Sequence, residues 1–222
     1  MSGTTQNGPS GQKLTYTDAQ SFGEHDGQIT PEKIWGHFCT VSEHRYLVMR
    51  HCFAVGLYVQ GLTHDLSKFS PVEFINGCRY YQGGRRSPNN GERDAKGYSE
   101  AWMHHKGRNR HHLEYWNDYS QKPVEGQNPV VPVKMPRRYV AEMLMDRIAA
   151  SKTYLKGDYS IHHPLQYFLN GRARQLMHPQ TAFELERMLR ILDTRGEKEL
   201  FRFVRDYYLK GCPMGDLRKQ KN

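Results

Sequence analysis

The chain reads as an all-α protein, and three observations carry that reading. Proline stands at the start of four helical stretches, at Pro31, Pro71, Pro136 and Pro179, where its missing amide costs nothing. The stretch after Pro136 places Val140, Met143, Leu144 and Ile148 at helical spacing, which makes one apolar stripe. No alternating apolar–polar run is strong enough to specify a sheet.

Taken in order, residues 1 to about 28 are polar and rich in Gly, Ser, Thr and Gln, which predicts a flexible tail. Thr30 then serves as N-cap for a helix running to about Val59, with a break predicted near Thr40–Ser42 and a stop at Gly61. Ser70-Pro71-Val72-Glu73 has the form of a capping box and starts a helix toward Tyr81. Gln82–Lys96 carries Gly-Gly, Arg-Arg, Pro and Asn-Asn-Gly, and predicts a loop. Ser99–Tyr119 is helical in type with an interruption at Gly107, and the three prolines of Lys122–Met135 predict a connecting loop. Pro136 opens a helix to about Tyr154, ended by Gly157-Asp158. Three more helices follow at about 164–176, 179–193 and 197–209. The organisation predicted is a tail (1–28), a main helical domain (29–157), C-terminal helices packed on it (158–210) and a basic tail (211–222).

Composition limits the function. No apolar stretch approaches the length of a membrane span, and the N-terminal region lacks the apolar core of a signal peptide. The four cysteines include no C-x-x-C pair, so reduced thiols and a cytoplasmic protein are expected. A net charge of +9 favours polyanionic partners, whether a phosphate-containing small molecule or nucleic acid.

The chemistry-bearing residues are histidines in company. His64 and Asp65 are adjacent; on a straight helix such neighbours point about 100° apart, but at a ragged helix end they can converge. Upstream, His44 and His51 lie seven apart, on one helical face. Downstream, residues 101–116 hold His104, His105, His111 and His112, with His111 and Glu114 at i, i+3. Imidazole nitrogen with carboxylate oxygen suits Mn, Fe, Co, Ni or Zn. The competing reading of this second cluster is an aromatic, partly buried helix stacked on Trp102, Tyr115 and Trp116. Asp146, beside the apolar stripe, is either a further ligand or an ion-pair partner of Arg137, Arg138 or Arg147.

His44, His64-Asp65 and a distant helical Asp146 resemble the H…HD…D pattern of the HD-domain metal-dependent phosphohydrolases. The resemblance implies an HD-domain-like helical bundle with loop insertions. In it His44, His64, Asp65 and Asp146 hold a divalent metal, and His104, His105, His111 and His112 fall where two-metal members insert further histidines. Spacing alone admits His37 in place of His44 and does not choose within each histidine doublet. Residues 35–155 also resemble a small family of phage and bacterial proteins without an assigned activity. They share its HDLSKFSP-x-EF, AW-x-HH…N-x-HH-x-EYW and MP-x-x-Y-x-x-EM segments.

The resemblance implies one or two divalent transition-metal ions and hydrolysis of a nucleotide or related phosphate ester. Lys68 stands where many members carry a phosphate-contacting lysine. Arg85, Arg86, Lys106, Arg108 and Arg110 are either phosphate-binding cations or solvated surface charges. Glu73 and Glu114 are candidates for orienting a water or fixing a ligand histidine, although the capping box offers Glu73 another role. Two alternatives stay open: a nuclease of the same type acting on nucleic acid, and a basic binding protein with a structural metal site.

Overall fold

Thr30 and Pro31 start the first helix: Thr30 Oγ1 accepts from the Lys33 amide at 3.3 Å, and Pro31 occupies a position that needs no donor. The computed structural model describes residues 27–122 and 128–214; most of both expected tails lies outside the described residues. The helices are α1 (Pro31–Ala54), α2 (Tyr58–Thr63), α3 (Pro71–Arg79), α4 (Pro88–Lys96), α5 (Glu100–Lys106), α6 (Arg137–Leu155), α7 (His163–Asn170), α8 (Ala173–Leu176) and α9 (Pro179–Phe203). An antiparallel pair, β1 (Asn117–Tyr119) with β2 (Val130–Pro132), interrupts them in the register Asp118 opposite Val131. The class is all-α.

Several boundaries differ from those the sequence predicts. α1 runs without a break through Thr40–Ser42, and the chain turns instead at Gly56 (φ 84°). Gly61 does not stop a helix; it lies buried inside α2. The expected loop at Gln82–Lys96 contains α4, because Ser87-Pro88 starts a helix as Ser70-Pro71 does and outweighs Asn89-Asn90-Gly91. The helix expected over 99–119 closes at Lys106. The chain then passes through a 3-10 turn at Leu113–Trp116 into β1, whose partner lies in the predicted connecting loop. The helix expected at 164–176 is divided into α7 and α8 around Gly171. Gly196 (φ 79°, ψ 177°) breaks α9 where two helices are expected, a conformation that a side chain would strain.

The core sits where α1, α6, α7 and α9 meet: Val48 and Cys52 of α1, Val140, Leu144, Met145 and Ile148 of α6, Phe168 of α7, and Leu185, Met188, Leu189 and Leu192 of α9. The predicted stripe of α6 is therefore its buried face. α1 packs along α6 toward one side of this core, and α3 packs on α5 beside them.

α1 and α3 approach closely at Gly77, where an added Cβ would overlap the His37 imidazole. That ring lies 5.3 Å from the Phe74 ring, with Tyr81 on another side, so it has little room to yield. Gly77→Ala is expected to cost about 1–3 kcal/mol by overpacking. At 2–4 °C per kcal/mol for a chain of this size, the melting temperature drops by roughly 2–12 °C. An unchanged melting temperature would refute the contact.

Candidate metal centre

His64 and Asp65 converge because α2 ends just before them. His64 is its C-cap in an extended conformation (φ −51°, ψ 127°), and Asp65 is left-handed (φ 53°, ψ 26°). Aspartate tolerates that region better than most residues, and the following 3-10 turn, Leu66–Phe69, starts from it. Arg45 fixes the bend from α1, donating to the His64 carbonyl at 2.8 Å and to the Leu62 carbonyl at 3.2 Å.

Around this bend four other segments deliver ligating atoms. From α1, His44 Nε2 lies 3.1 Å from Asp146 Oδ1 of α6, without hydrogen-bond geometry, and 3.7 Å from Asp65 Oδ2. His64 Nε2 is 3.4 Å from Asp65 Oδ2 and 3.9 Å from Asp146 Oδ1. On the other side of Asp65, its Oδ1 stands 3.3 Å from His105 Nε2 and 3.4 Å from His111 Nε2. Two sets emerge whose ligand atoms all lie within 4.8 Å of one another: His44, His64 and Asp146, and Asp65, His105, His111 and His112. Asp65 joins them, with one oxygen toward each.

Whether a metal fits can be judged from what the protein leaves unsatisfied. His44 Nε2, His64 Nε2, Asp65 Oδ1, His111 Nε2 and His112 Nε2 are buried and make no hydrogen bond. Each unpartnered buried polar atom costs about 1–3 kcal/mol, and five of them at one point are what a metal-ligand set looks like without its ion. The donors are imidazole and carboxylate, the set for Mn, Fe, Co, Ni or Zn. These buried histidine and carboxylate clusters could hold a metal ion.

A layer behind the ligands fixes their orientation. Glu142 Oε1, on α6, lies 3.1 Å from His64 Nδ1 and 3.1 Å from His111 Nδ1. A third possible ligand set, His64, His111 and Glu142, uses these Nδ1 atoms. Because Glu142 hydrogen-bonds His64 Nδ1, lies beside His111 Nδ1 and leaves both Nε2 atoms unpartnered, it belongs behind the histidines. Glu73 of α3 accepts from His105 Nδ1 at 2.7 Å and from His104 Nδ1 at 2.6 Å. Ser70 still caps α3 through the Glu73 amide, so the Glu73 carboxylate is left for the histidines. Asn109 donates to Ser67 Oγ at 2.8 Å and to the His105 carbonyl at 2.8 Å, tying the segment after α5 to the 3-10 turn.

The charges follow from this packing. Burial opposes ionisation of Asp65, but His64, His105 and Lys68 outweigh it and hold the carboxyl well below its ordinary range. Burial is likewise overcome at Asp146, which the His44 contact lowers, and at Glu142, which His111 and His64 lower. His44 and His105 are raised, because their carboxylate neighbours outweigh burial. Burial prevails at His64 and His112, which are lowered.

The structure decides several choices that spacing left open. His44, not His37, belongs to the centre; His37 packs against Phe74 and Tyr81, and burial pushes its pKa down to about 4. Asp146 faces three histidines. Arg137 instead donates to the Tyr208 and Cys212 carbonyls, while Arg138 lies over Tyr139 and Arg147 over Phe168. His105, His111 and His112 join the ligand set, whereas His104 lies outside it as the second partner of Glu73. Trp102 does stack near His105 and His112, so the aromatic surroundings and the ligand set coexist. Lys68 Nζ is 3.2 Å from Asp65 Oδ2 with a quarter of its side chain exposed, and Asp65 raises its pKa against the opposing effect of burial.

The other proposed cations are spread over the surface. Arg86 pairs with Asp94, Arg108 donates to the His104 carbonyl, Arg110 donates to Tyr139, and Arg85 is exposed. Lys106 is half-buried at the end of α5, and Glu114, in the Leu113–Trp116 turn, is in none of the ligand sets. The sequence reading missed Glu142, whose available signal was its place one turn before Asp146 on the same helical face.

The fold and the centre define a class: an all-α protein with a buried histidine–carboxylate centre able to hold a divalent metal. A family model covering residues 33–191, well over half the chain, matches it, and the protein belongs to that family, described as a family of unknown function (DUF5662). Neither the curated proteins nor the solved structures provide a match. Among the described residues no helix is long and apolar enough to cross a membrane.

Proposed function

We propose that the protein is a metal-dependent phosphohydrolase acting on a nucleotide or related phosphate ester. The observation that carries this reading is the convergence of four unpartnered, buried imidazole nitrogens around Asp65, whose Oδ1 is unpartnered too, with His44, His64, Asp65 and Asp146 in the H…HD…D order. A divalent transition metal held there would supply Lewis acidity for water activation and for polarising the phosphoryl oxygen.

The chain's own residues do the rest. His44, His64 and Asp146 would hold one ion, and Asp65, His105, His111 and His112 would hold a second. Lys68, beside Asp65 and part-exposed, offers its ammonium donors to a phosphate oxygen and offsets its charge. Glu73 and Glu142 fix the tautomer of the neutral rings, holding the proton on Nδ1 so that Nε2 is the ligating nitrogen. The remaining basic groups along residues 79–110 favour a polyanion, and with the +9 net charge they support nucleic acid as the second substrate class.

The test is a hydrolysis screen of protein loaded with Mn, Co, Ni or Zn against nucleotides, phosphomonoesters, phosphodiesters and single-stranded oligonucleotides. Metal-dependent phosphate release, lost in the His64→Ala/Asp65→Ala variant, is the expected result. Cleavage confined to oligonucleotides, with salt-sensitive binding, would select the nuclease reading. A loaded protein that hydrolyses none of them would overturn the enzyme and leave a structural metal.

A further inference from the structure

We infer that Glu142 and Glu73 are positioning residues of unequal reach: Glu142 orients one histidine in each ligand set, and Glu73 orients a histidine in the second set only. This rests on the metal reading above. An imidazole ligates through the nitrogen that carries no proton, so whatever engages Nδ1 decides whether Nε2 is available. Glu142 lies at Nδ1 of His64 and His111, and Glu73 at Nδ1 of His105 and of its neighbour His104. Ser67 Oγ at 3.2 Å and Asn109 Nδ2 at 3.1 Å also approach His105 Nδ1, but the Glu73 contact, at 2.7 Å, is the shortest and the only charged one.

Glu142 is 6% exposed and stands one turn before Asp146 on α6. Its Oε1 is 3.1 Å from Nδ1 of His64, at the end of α2, and 3.1 Å from Nδ1 of His111, beyond α5. Those two rings lie with centroids 4.4 Å apart, yet they come from segments far apart in sequence. A single oxygen therefore holds the ligand bend after α2 and the segment before Leu113–Trp116 against the same helix. His64 belongs to the set with His44 and Asp146, and His111 to the set with Asp65, His105 and His112. Loss of the Glu142 charge acts on both.

Glu73 is arranged differently. Its Oε2 takes His105 Nδ1 at 2.7 Å, and its Oε1 takes His104 Nδ1 at 2.6 Å. His104 is in neither ligand set, so its contact holds the Glu73 carboxylate, and Glu73 in turn presents His105 Nε2 toward Asp65 Oδ1 at 3.3 Å. Loss of the Glu73 charge acts on the second set alone. The doublet His104-His105 thus divides its labour: one ring ligates and the other steadies the carboxylate behind it.

The experiment is titration of metal-free wild type, Glu142→Gln and Glu73→Gln with Mn2+ and, separately, Co2+. Calorimetry and the Co2+ absorption spectrum follow each equivalent, with the melting temperature of each metal-free protein as the control for folding. Both substitutions keep the side-chain volume and remove only the charge. Wild type is expected to take up two equivalents. Glu73→Gln should retain one at wild-type affinity and bind the other about 10–100-fold more weakly. Glu142→Gln should weaken both by about that factor, with an altered Co2+ spectrum for each. Equal effects of the two substitutions, or normal affinities in Glu142→Gln, would overturn the division while leaving the metal centre standing. Uptake of a single equivalent by wild type would also overturn it. A wild type that binds neither ion would remove the hydrolase reading as well. A lowered melting temperature in the metal-free variants with unchanged metal affinity would show a purely structural role and refute positioning.

Discussion

Asp65→Asn is expected to lose both metal equivalents at once and to lose the thermal stabilisation that metal confers. The reason is geometric: Asp65 Oδ2 faces His44 and His64, and Oδ1 faces His105 and His111. Asparagine preserves size and tolerates the left-handed backbone that Asp65 adopts (φ 53°), so the substitution removes charge without forcing the bend after α2 to move. An ion that binds only the folded protein, at a concentration a thousand times its Kd, stabilises by about 4 kcal/mol. For a chain of this length that raises the melting temperature by roughly 8–16 °C. Elemental analysis of protein purified without a metal-binding tag, paired with melting curves with and without Mn2+, measures both quantities. By the same geometry His44→Ala strips only one set and His105→Ala only the other. Retention of both equivalents in Asp65→Asn, or an undiminished rise in melting temperature, would contradict the shared role of Asp65.

The second large effect is loss of stability in mild acid; His64 and His112, lowered by burial, contribute in the same direction, and two further buried histidines outside the ligand sets add to it. Burial pushes the pKa of both His37 and His51 down to about 4. His37 is enclosed by Phe74, Tyr81 and Gly77. His51 lies against Phe201, with Nδ1 3.4 Å from the Met145 carbonyl and Nε2 accepting from Lys152 at 3.3 Å, an arrangement made for the neutral ring. A histidine whose pKa is depressed on folding binds its proton more readily when unfolded. Its burial therefore costs nothing above pH 6.5, and stability falls as pH drops from 6.5 toward 4. At about 1.4 kcal/mol per pH unit, each such ring accounts for about 3 kcal/mol across that window.

His44 and His105, shifted upward, do not cancel this slope, because below pH 6.5 they are protonated in both states. The depressed carboxylates Asp65, Asp146, Glu73 and Glu142 withdraw their stabilisation only below the ordinary carboxylate range. Urea unfolding of the metal-free protein at pH 7, 6 and 5 should show the decline, and His51→Gln should make it shallower. A flat profile, or one that His51→Gln leaves as steep, would show that these rings are not buried neutral.

Local signals account for what was legible in the chain itself. Thr30-Pro31, Ser70-Pro71 and the α6 stripe state helix starts and a buried face through interactions a few residues long, and the structure follows them. The same locality explains the errors. The turn residues beside Ser87-Pro88 mask the helix start there, and Gly61 reads as a stop although the chain turns at Gly56. Of the centre, the order His44, His64-Asp65, Asp146 was readable as a pattern, and the second histidine cluster was readable as a concentration of one residue type.

What the tertiary structure alone decided is which nitrogen faces which oxygen. His44 and His37 share α1, and only the packing of α1 along α6 brings one to Asp146 and leaves the other among aromatic rings. His104 and His105 are neighbours, both bonded to Glu73 from a different helix, and only His105 reaches the candidate ligand set. Glu142 carried no signal beyond its place one turn from Asp146, because its role exists only once α2, α6 and the segment after α5 have met. Helix starts are encoded over three or four residues, so the sequence determined the class of fold and the kinds of ligand present. The centre is made of contacts between residues up to about a hundred positions apart, whose geometry no local pattern can specify.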